Sequence, residues 1–293
     1  MNLISRLEEA KQQGRPLFWD GAMGTQLIAR GLVGRAPEAW NLEKPELLRE
    51  IHRDYVRAGS EVIQTNTFGA NRLKLKSAGL EDKLQLINSS AVKAAAEAAE
   101  GQALVAGDIG PTGELMAPMG NLSAEQAEEV YREQASILAE AGVDLFSIET
   151  MFALEEAQAA IRALKAAAPN LPVACGMTFK KTARGFFTMM GVSPEQAVKG
   201  MVEAGAELVG ANCSIGPKDM VELVKAMRPL TDKYIIAQAN AGEPQLKEGK
   251  EIYEVAAEDF AAFAKPMFEA GADALGACCG SSPEFIRRMK AKF

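Results

Sequence analysis

The chain has 293 residues, with 32 basic and 39 acidic side chains and a net charge of −7. This acidic balance argues against nucleic acid as a partner, because binding to phosphate backbones depends on Lys and Arg. Four cysteines are too few for a disulfide scaffold, and a single histidine is too few for a His-rich zinc site. No signal peptide and no run of about 18 apolar residues is visible, so we expect a cytoplasmic globular protein with reduced thiols and no membrane contact.

Eight short apolar runs alternate with helical patterns along the chain, which predicts buried parallel strands joined by helices. The runs are residues 17–19, 61–65, 103–106, 144–148, 172–176, 207–210, 234–237 and 273–276. Eight such units predict that residues 1–293 form one (β/α)8 TIM barrel domain of the α/β class. An open doubly wound sheet is the weaker alternative, because such a sheet usually has fewer strands and no G-x-G-x-x-G follows the first run.

Helix boundaries also have sequence signals. Ser123 and Ser193 each begin a capping-box pattern, and Ser282 is predicted to open the last helix in the same way. Pro45 and Pro217 are predicted in the first turns of two further helices. Four strands follow nearly the same phrase, in which Ala-Gly ends a helix and an acidic residue leads into the strand, at residues 57–61, 140–144, 203–207 and 269–273.

Functional residues of a barrel follow the C-terminal ends of its strands. Cys213, Cys278 and Cys279 fall there, after strands six and eight, whereas Cys175 falls inside strand five and is expected to be a small buried apolar residue. Three thiolates bind Zn²⁺ and leave the fourth tetrahedral position open, as in a catalytic zinc site. The alternative is that these cysteines are packing residues, since the adjacent pair lacks the C-x-x-C spacing.

Zinc bound by three thiolates suits another thiol as its fourth ligand, because the metal lowers the pKa of that thiol. The favoured reaction is attack of a substrate thiolate on an alkyl group. Asp20 and Glu149 follow strands one and four and together can hold an ammonium group, although a turn residue and a polar cover are the alternatives. Gly21 begins a loop, residues 21–25, whose backbone N–H groups can bind a carboxylate. These features predict a thiol amino acid as ligand.

Six motifs together resemble the homocysteine S-methyltransferase family, and they cover essentially the whole chain. They lie at residues 18–25, 65–68, 107–113, 149–150, 210–217 and 276–280. The resemblance implies a zinc-containing barrel that methylates homocysteine to methionine, with no catalytic side chain beyond the zinc-activated substrate thiolate. It implies one zinc ion on Cys213, Cys278 and Cys279, and homocysteine contacts at Asp20, Gly21 and Glu149. Asn66 and Asn240 are further candidates, and Asn240 is expected to approach the metal when no thiol is bound.

The motifs are most similar to the homocysteine-binding module of cobalamin-dependent methionine synthase, which implies a methylcorrinoid as methyl donor. The corrinoid-binding motif D-x-H-x-x-G is absent, and the single histidine, His52, lies in a helical pattern where we expect it on the helix surface. The corrinoid is therefore expected on another protein or module. The alternatives are S-methylmethionine or S-adenosylmethionine as donor, and a non-catalytic zinc-binding barrel subunit.

Overall fold

The computed structural model describes residues 2–247 and 250–293. Eight parallel strands form one sheet, and all eight predicted strands are present. They are β1 (Leu17–Phe18), β2 (Val62–Gln64), β3 (Leu104–Ile109), β4 (Leu145–Met151), β5 (Val173–Met177), β6 (Leu208–Asn212), β7 (Tyr234–Ala239) and β8 (Ala274–Ala277). β1 pairs with β8, and a bridge between Trp19 and Val62 joins β1 to β2. The sheet thereby closes on itself, and the predicted (β/α)8 barrel is confirmed.

Helices lie between successive strands, with one more before β1 and another after β8. They are α1 (Leu3–Gln12), α2 (Met23–Ala29), α3 (Trp40–Glu43), α4 (Pro45–Ala58), α5 (Arg72–Ser77), α6 (Leu84–Ala99), α7 (Ala124–Ala141), α8 (Leu154–Ala167), α9 (Pro194–Ala204), α10 (Pro217–Met227), α11 (Ala257–Ala261), α12 (Ala264–Glu269) and α13 (Pro283–Lys290). None of the helices in the described residues is both long and apolar enough to span a bilayer.

The barrel has an inner cluster of buried side chains that is separate from the layer between strands and helices. The first residues of several strands, such as Leu17, Val62 and Leu104, belong to this inner cluster. Helix α1 contributes Leu3 and Leu7 to the same cluster. Because α1 packs against the beginnings of the strands, it covers the N-terminal end of the barrel, and the opposite end is left for function.

The predicted helix starts are confirmed at four positions and wrong in one detail. Ser123 and Ser193 form complete capping boxes, and Pro45 and Pro217 are the first residues of α4 and α10. Ser282 precedes α13, but its side chain makes no capping hydrogen bond. The third helical residue is a phenylalanine, which cannot complete a capping box, and its N–H donates to the Ser282 carbonyl instead.

The repeated Ala-Gly motif before four strands has two structural roles, one at its glycine and one at its acidic residue. Its glycines adopt a left-handed conformation, with φ between +97° and +109°, at Gly59, Gly142, Gly205 and Gly271. Its acidic residues each accept a hydrogen bond from a backbone N–H of the preceding strand, in the pairs Glu61–Phe18, Asp144–Val105, Glu207–Val173 and Asp273–Ile235. The side chains of the even strands therefore hold the beginnings of the odd strands.

Two antiparallel hairpins follow β5 and β7 and were not predicted. One pairs Lys180–Thr182 with Gly185–Phe187, and the other pairs Gln245–Lys247 with Lys250–Ile252. Each strand is only three residues long, and the first hairpin is mostly exposed and rich in Lys and Arg, so its sequence lacks the apolar alternation that marks a strand. Both hairpins add to the C-terminal end of the barrel.

The predicted surface position of His52 is wrong, because its side chain lies on the buried face of α4. Leu48, Ile51, His52 and Tyr55 share the spacing of one helix face and are all buried. Burial lowers the pKa of His52 to about 4. Neither ring nitrogen has a hydrogen-bond partner among the described residues. His52 is therefore a neutral core residue.

Candidate metal centre and adjoining cavity

Three thiols converge at the C-terminal end of the barrel. Cys213 directly follows β6, and Cys278 and Cys279 directly follow β8, with β7 between them. The Sγ atom of Cys279 lies 3.8 Å from that of Cys213 and 4.0 Å from that of Cys278. A tetrahedral zinc ion with Zn–S bonds of about 2.3 Å holds its sulfur ligands about 3.8 Å apart. The three thiols therefore have the spacing that zinc requires.

The thiol cluster stabilises negative charge. Hydrogen bonds with Cys278 and Cys279 lower the pKa of Cys213 to about 3, and a hydrogen bond with Asn240 contributes in the same direction. The same contact with Cys213 raises the pKa of Cys278 and raises that of Cys279 to about 12. Such a donor set is matched by a divalent cation, which allows all three sulfurs to ionise. Cys175 is buried inside β5 and has no part in the cluster, as predicted.

The backbone around the thiols is strained. Thr150, Cys213 and Ser214 have φ values of +61°, +62° and +60°, a region that non-glycine residues rarely adopt. The Asn212 side chain holds Thr150 on both sides, because its Oδ1 accepts from the Thr150 N–H at 2.8 Å and its Nδ2 donates to the Thr150 hydroxyl at 2.8 Å. Asn212 Nδ2 also lies 3.9 Å from the Cys278 Sγ. This contact links the end of β4 to the thiol cluster.

A cavity of about 250 Å³ adjoins the thiols. Its wall contains the three cysteines, Glu149 and Thr150 from the end of β4, and Asp108 from β3. The remaining wall residues include Ala22, Met23, Gly24 and Thr25 at the start of α2, together with Glu38, Thr65 and Asn66. The predicted site residues Glu149 and Asn66 thus line the cavity, whereas Asp20 and Gly21 lie behind its wall and Asn240 lies beside Cys213.

Asp20 is buried, and only one of its two carboxylate oxygens has a hydrogen-bond partner among the described residues. Its Oδ2 accepts a hydrogen bond from the Gln64 N–H at 2.8 Å, and its Oδ1 has no partner among the described residues. Burial raises the pKa of Asp20 well above its usual value, against the effect of that hydrogen bond. Glu149 Oε2 accepts from the Gln64 side chain at 3.0 Å, and burial raises the pKa of Glu149 to about 7. Burial therefore disfavours the negative charge of both predicted carboxylates.

Gln64 and Asp108 belong to the same group of side chains and were missed as site residues. Gln64 bonds to Asp20 and Glu149, and its Oε1 accepts from the Gln238 amide at 2.9 Å. Asp108 is buried, and its Oδ1 has no partner among the described residues. The sequence signal for Asp108 was its place within a strand, because β3 extends to Ile109 and so includes this polar residue among apolar ones.

The other predicted residues have defined local roles. A Cβ atom on Gly21 would lie 2.6 Å from the Ser281 Oγ, so only glycine allows this close approach. The Asn66 amide donates to the Pro37 carbonyl and to Asn41 Oδ1, both at 2.8 Å, and so holds the segment that covers the cavity. Asn240 is buried beside Cys213, and its approach to a metal stays a prediction.

The fold and the site together define a (β/α)8 barrel with a three-thiol centre at the carboxyl ends of its strands. The sequence profile of the homocysteine S-methyltransferase family matches residues 17–293, and the chain belongs to that family.

Relatives differ in how much of their length the chain spans. The chain is 29% identical to the methionine synthase of Mycobacterium tuberculosis, over 94% of this chain but 24% of that protein. It therefore spans about a quarter of the methionine synthases that it matches. It is 31% identical to betaine–homocysteine S-methyltransferase 1 of Danio rerio, over 96% of this chain and 74% of that protein.

Solved structures agree with this assignment. The homocysteine methyltransferase MmuM from Escherichia coli, in its metallated form, superposes with a TM-score of 0.81 at 25% identity. The superposition covers 98% of this chain and 99% of MmuM.

Proposed function

We propose that this chain is a zinc-dependent homocysteine S-methyltransferase that forms methionine. The observation that carries the proposal is the convergence of Cys213, Cys278 and Cys279 in the wall of a cavity that also contains Glu149. Thiols with zinc-like spacing suit a thiol ligand, and a buried carboxylate suits its ammonium group. Membership of the homocysteine S-methyltransferase family supports homocysteine as the acceptor.

Each part of the acceptor has a proposed partner in the chain. Cys213, Cys278 and Cys279 would hold one zinc ion, which lowers the pKa of a bound thiol and so supplies a thiolate at neutral pH. Glu149 and Asp20 hold the ammonium group, and the backbone of residues 21–25 binds the carboxylate. The substrate sulfur forms a bond to the methyl carbon as the bond between donor and methyl breaks. Because the thiol proton has already left, no side chain acts as a base in this step.

We propose a methylated corrinoid, carried by another protein or module, as the donor. Similarity to methionine synthases, of which the chain spans about a quarter, supports this choice. Exposed methionines on the loops after β3 and β5 also support it, since Met119 and Met189 are 66% and 75% exposed at the same end of the barrel as the thiols. Flexible thioethers suit a surface that receives a partner.

A small sulfonium donor, S-methylmethionine or S-adenosylmethionine, is the second candidate. The similarity of the whole barrel to E. coli MmuM, a homocysteine methyltransferase, is the observation that keeps this candidate open.

A donor panel tests the proposal. Zinc-loaded protein is incubated with homocysteine and, separately, with methylcobalamin, S-methylmethionine, S-adenosylmethionine or betaine, and methionine is measured. We expect methionine with methylcobalamin only. Methionine from either sulfonium compound or from betaine would overturn the corrinoid proposal, and no methionine with any donor would favour the non-catalytic zinc-binding subunit.

The zinc ligands are tested in the same assay by metal analysis. Cys213→Ala, Cys278→Ala and Cys279→Ala should each lose stoichiometric zinc and methionine formation. Cys175→Ala is the matched control, because this buried thiol lies outside the cluster, and it should retain both. Full zinc content in all three cluster variants would overturn the assignment.

A further inference from the structure

We propose that Asp108 is a third carboxylate of the ammonium subsite and that it makes the cavity selective for thiols with an α-amino group. This inference rests on the proposed function, because it concerns the same acceptor site. Three observations support it. Asp108 is held rigidly, and oxygen atoms of Asp20 and Asp108 have no hydrogen-bond donor in the part of the chain that the structure describes. The oxygen atoms of the carboxylates also lie farther apart than the ligand atoms of a metal site do.

Asp108 is held rigidly in the cavity wall. Its N–H donates to the Thr65 Oγ1 at 3.0 Å, and its carbonyl accepts from the Thr67 Oγ1 at 2.7 Å. The two hydroxyls lie 2.6 Å apart and so fix one another. The Asp108 side chain is only 6% exposed, yet it lines the cavity beside Glu149. A short side chain on a fixed backbone has few alternative positions, so its carboxylate stays in the cavity wall.

Gln64 organises the three carboxylates and leaves oxygens free. Its N–H bonds to Asp20, and its side chain bonds to both Glu149 and Asp108. Within the described part of the chain, Asp20 Oδ1 and Asp108 Oδ1 have no donor. Buried acceptors without donors are costly and uncommon in native proteins, so two of them in one group indicate a ligand that brings several N–H bonds.

The ligand that fits is a primary ammonium group. It carries one positive charge and three N–H donors in different directions, and this matches separate oxygens on several carboxylates. A metal ion fits less well, because in residues 2–247 and 250–293 only the three cysteines bring ligand atoms together closely enough to hold one. An anionic group fits less well too, because it would add to the repulsion that Glu149 and Asp20 exert on a charged Asp108.

The test measures binding rather than turnover. Zinc-loaded wild type and Asp108→Asn are titrated by calorimetry with homocysteine and with 4-mercaptobutanoate, which has the same thiol, carbon chain and carboxylate but no amino group. The substitution keeps size and one oxygen acceptor while it removes the charge. We expect the Kd of homocysteine to rise at least tenfold and the Kd of 4-mercaptobutanoate to change less than twofold. Zinc content should equal that of wild type.

Asp144→Asn serves as the matched control, since Asp144 lies at the opposite end of the barrel and should alter neither Kd. An unchanged Kd of homocysteine in Asp108→Asn would overturn the inference, as would equal losses for both thiols. A wild-type protein that binds neither thiol would instead contradict the proposed function, so the two failures are distinguishable.

Discussion

Thr150, Cys213 and Ser214 show how single residues direct this site. A left-handed backbone at a non-glycine residue costs about 1 kcal/mol or more, and such strain persists only where surrounding contacts fix it. At Thr150 the two hydrogen bonds of Asn212 supply that fixation. Glu149, near the end of β4, and Cys213, directly after β6, lie next to these residues and line one cavity. The strain is thus used to position side chains.

His52 carries a pH dependence that is separate from the site. Its pKa is lowered to about 4 in the folded protein because the ring is buried, whereas an exposed histidine has a pKa near 6.5. The unfolded chain therefore binds a proton at a higher pH than the folded chain does. The stabilisation from a neutral His52 is complete above pH ~6.5 and is lost as the pH falls toward 4.

His52→Leu should remove this dependence. Between pH 8 and pH 5 we expect the free energy of unfolding of wild type to fall by about 2 kcal/mol more than that of the variant, from the two pKa values and linkage. Urea denaturation at the two pH values measures the difference. Leucine suits the apolar side of α4, so the variant is expected to fold. A difference between the two proteins that does not change with pH would contradict the burial of a neutral imidazole.

The sequence predicted which cysteines form the thiol cluster, but it did not predict the hydrogen bonds of the neighbouring polar side chains. Cys213, Cys278 and Cys279 were predictable because they follow apolar runs directly. Asp108 and Gln64 were not, because their importance depends on which oxygen atoms lack a donor. The burial of His52 was missed because one polar residue in an amphipathic helix is usually assigned to the exposed face.

The elements of the barrel are joined in pairs by acidic side chains. Asp144, at the start of β4, accepts a hydrogen bond from the Val105 N–H of β3 at 2.8 Å, and Glu61, Glu207 and Asp273 do the same for other odd strands. Glu207 also pairs with Lys165 at 2.7 Å, whereas no ion pair of Asp144 is found in the described residues. Asp144 is therefore the cleanest place to measure this contact.

Asp144→Ala should lower the free energy of unfolding by about 1–3 kcal/mol, because it leaves the N–H of buried Val105 without an acceptor. Asp144→Asn keeps an oxygen at the same position and should lose clearly less. Urea denaturation compares the two variants with wild type, and both should retain zinc. Equal destabilisation of the two variants would show that the carboxylate charge, rather than the hydrogen bond, matters.

Elements were predictable where the hydrophobic pattern was strong. All eight barrel strands and the boxed starts of α7 and α9 follow from apolar runs and capping residues. The two hairpins after β5 and β7 were missed because their three-residue strands carry no such pattern. The ends of β3 and β4 also extend beyond the predicted runs, and these extensions contain Asp108, Glu149 and Thr150.

At the scale of the whole molecule, the thiol cluster joins parts of the chain that are far apart in sequence. Cys213 and Cys279 are separated by 66 residues, and their strands lie on either side of β7. A metal bound there exists only in the folded protein, so binding adds to folding stability.

Zinc removal should therefore lower the Tm. When free zinc exceeds its Kd about a hundredfold, the added stability is about 2.7 kcal/mol, which corresponds to a rise in Tm of about 4 °C for a chain of this size. Differential scanning calorimetry with zinc and with a chelator measures the shift. Cys213→Ala should show no zinc-dependent shift, whereas Cys175→Ala should show it in full. A full shift in Cys213→Ala would place the metal elsewhere.

The architecture of the whole molecule was predictable because alternation and an internal repeat extend along the entire chain. Four repeated helix–strand junctions occur in the barrel at equivalent places, and each ends in an acid with the same kind of backbone partner. The methyl donor was not predictable in this way, because its choice depends on a complementary surface of another molecule.

The closure between β1 and β2 is thin, and it has a thermodynamic consequence. One bridge, from Trp19 to Val62, joins these strands, and hydrogen bonds between Glu61 and Phe18 and from Gln64 to Asp20 cross the same boundary. A cation shared by Asp20, Asp108 and Glu149 would connect β1, β3 and β4 across it. Ligand affinity and barrel closure would then be reciprocally linked. A substitution that weakens the pairing of β1 with β2 would therefore weaken substrate binding, even where the substituted residue does not contact the substrate. Bound substrate would in turn stabilise this pairing.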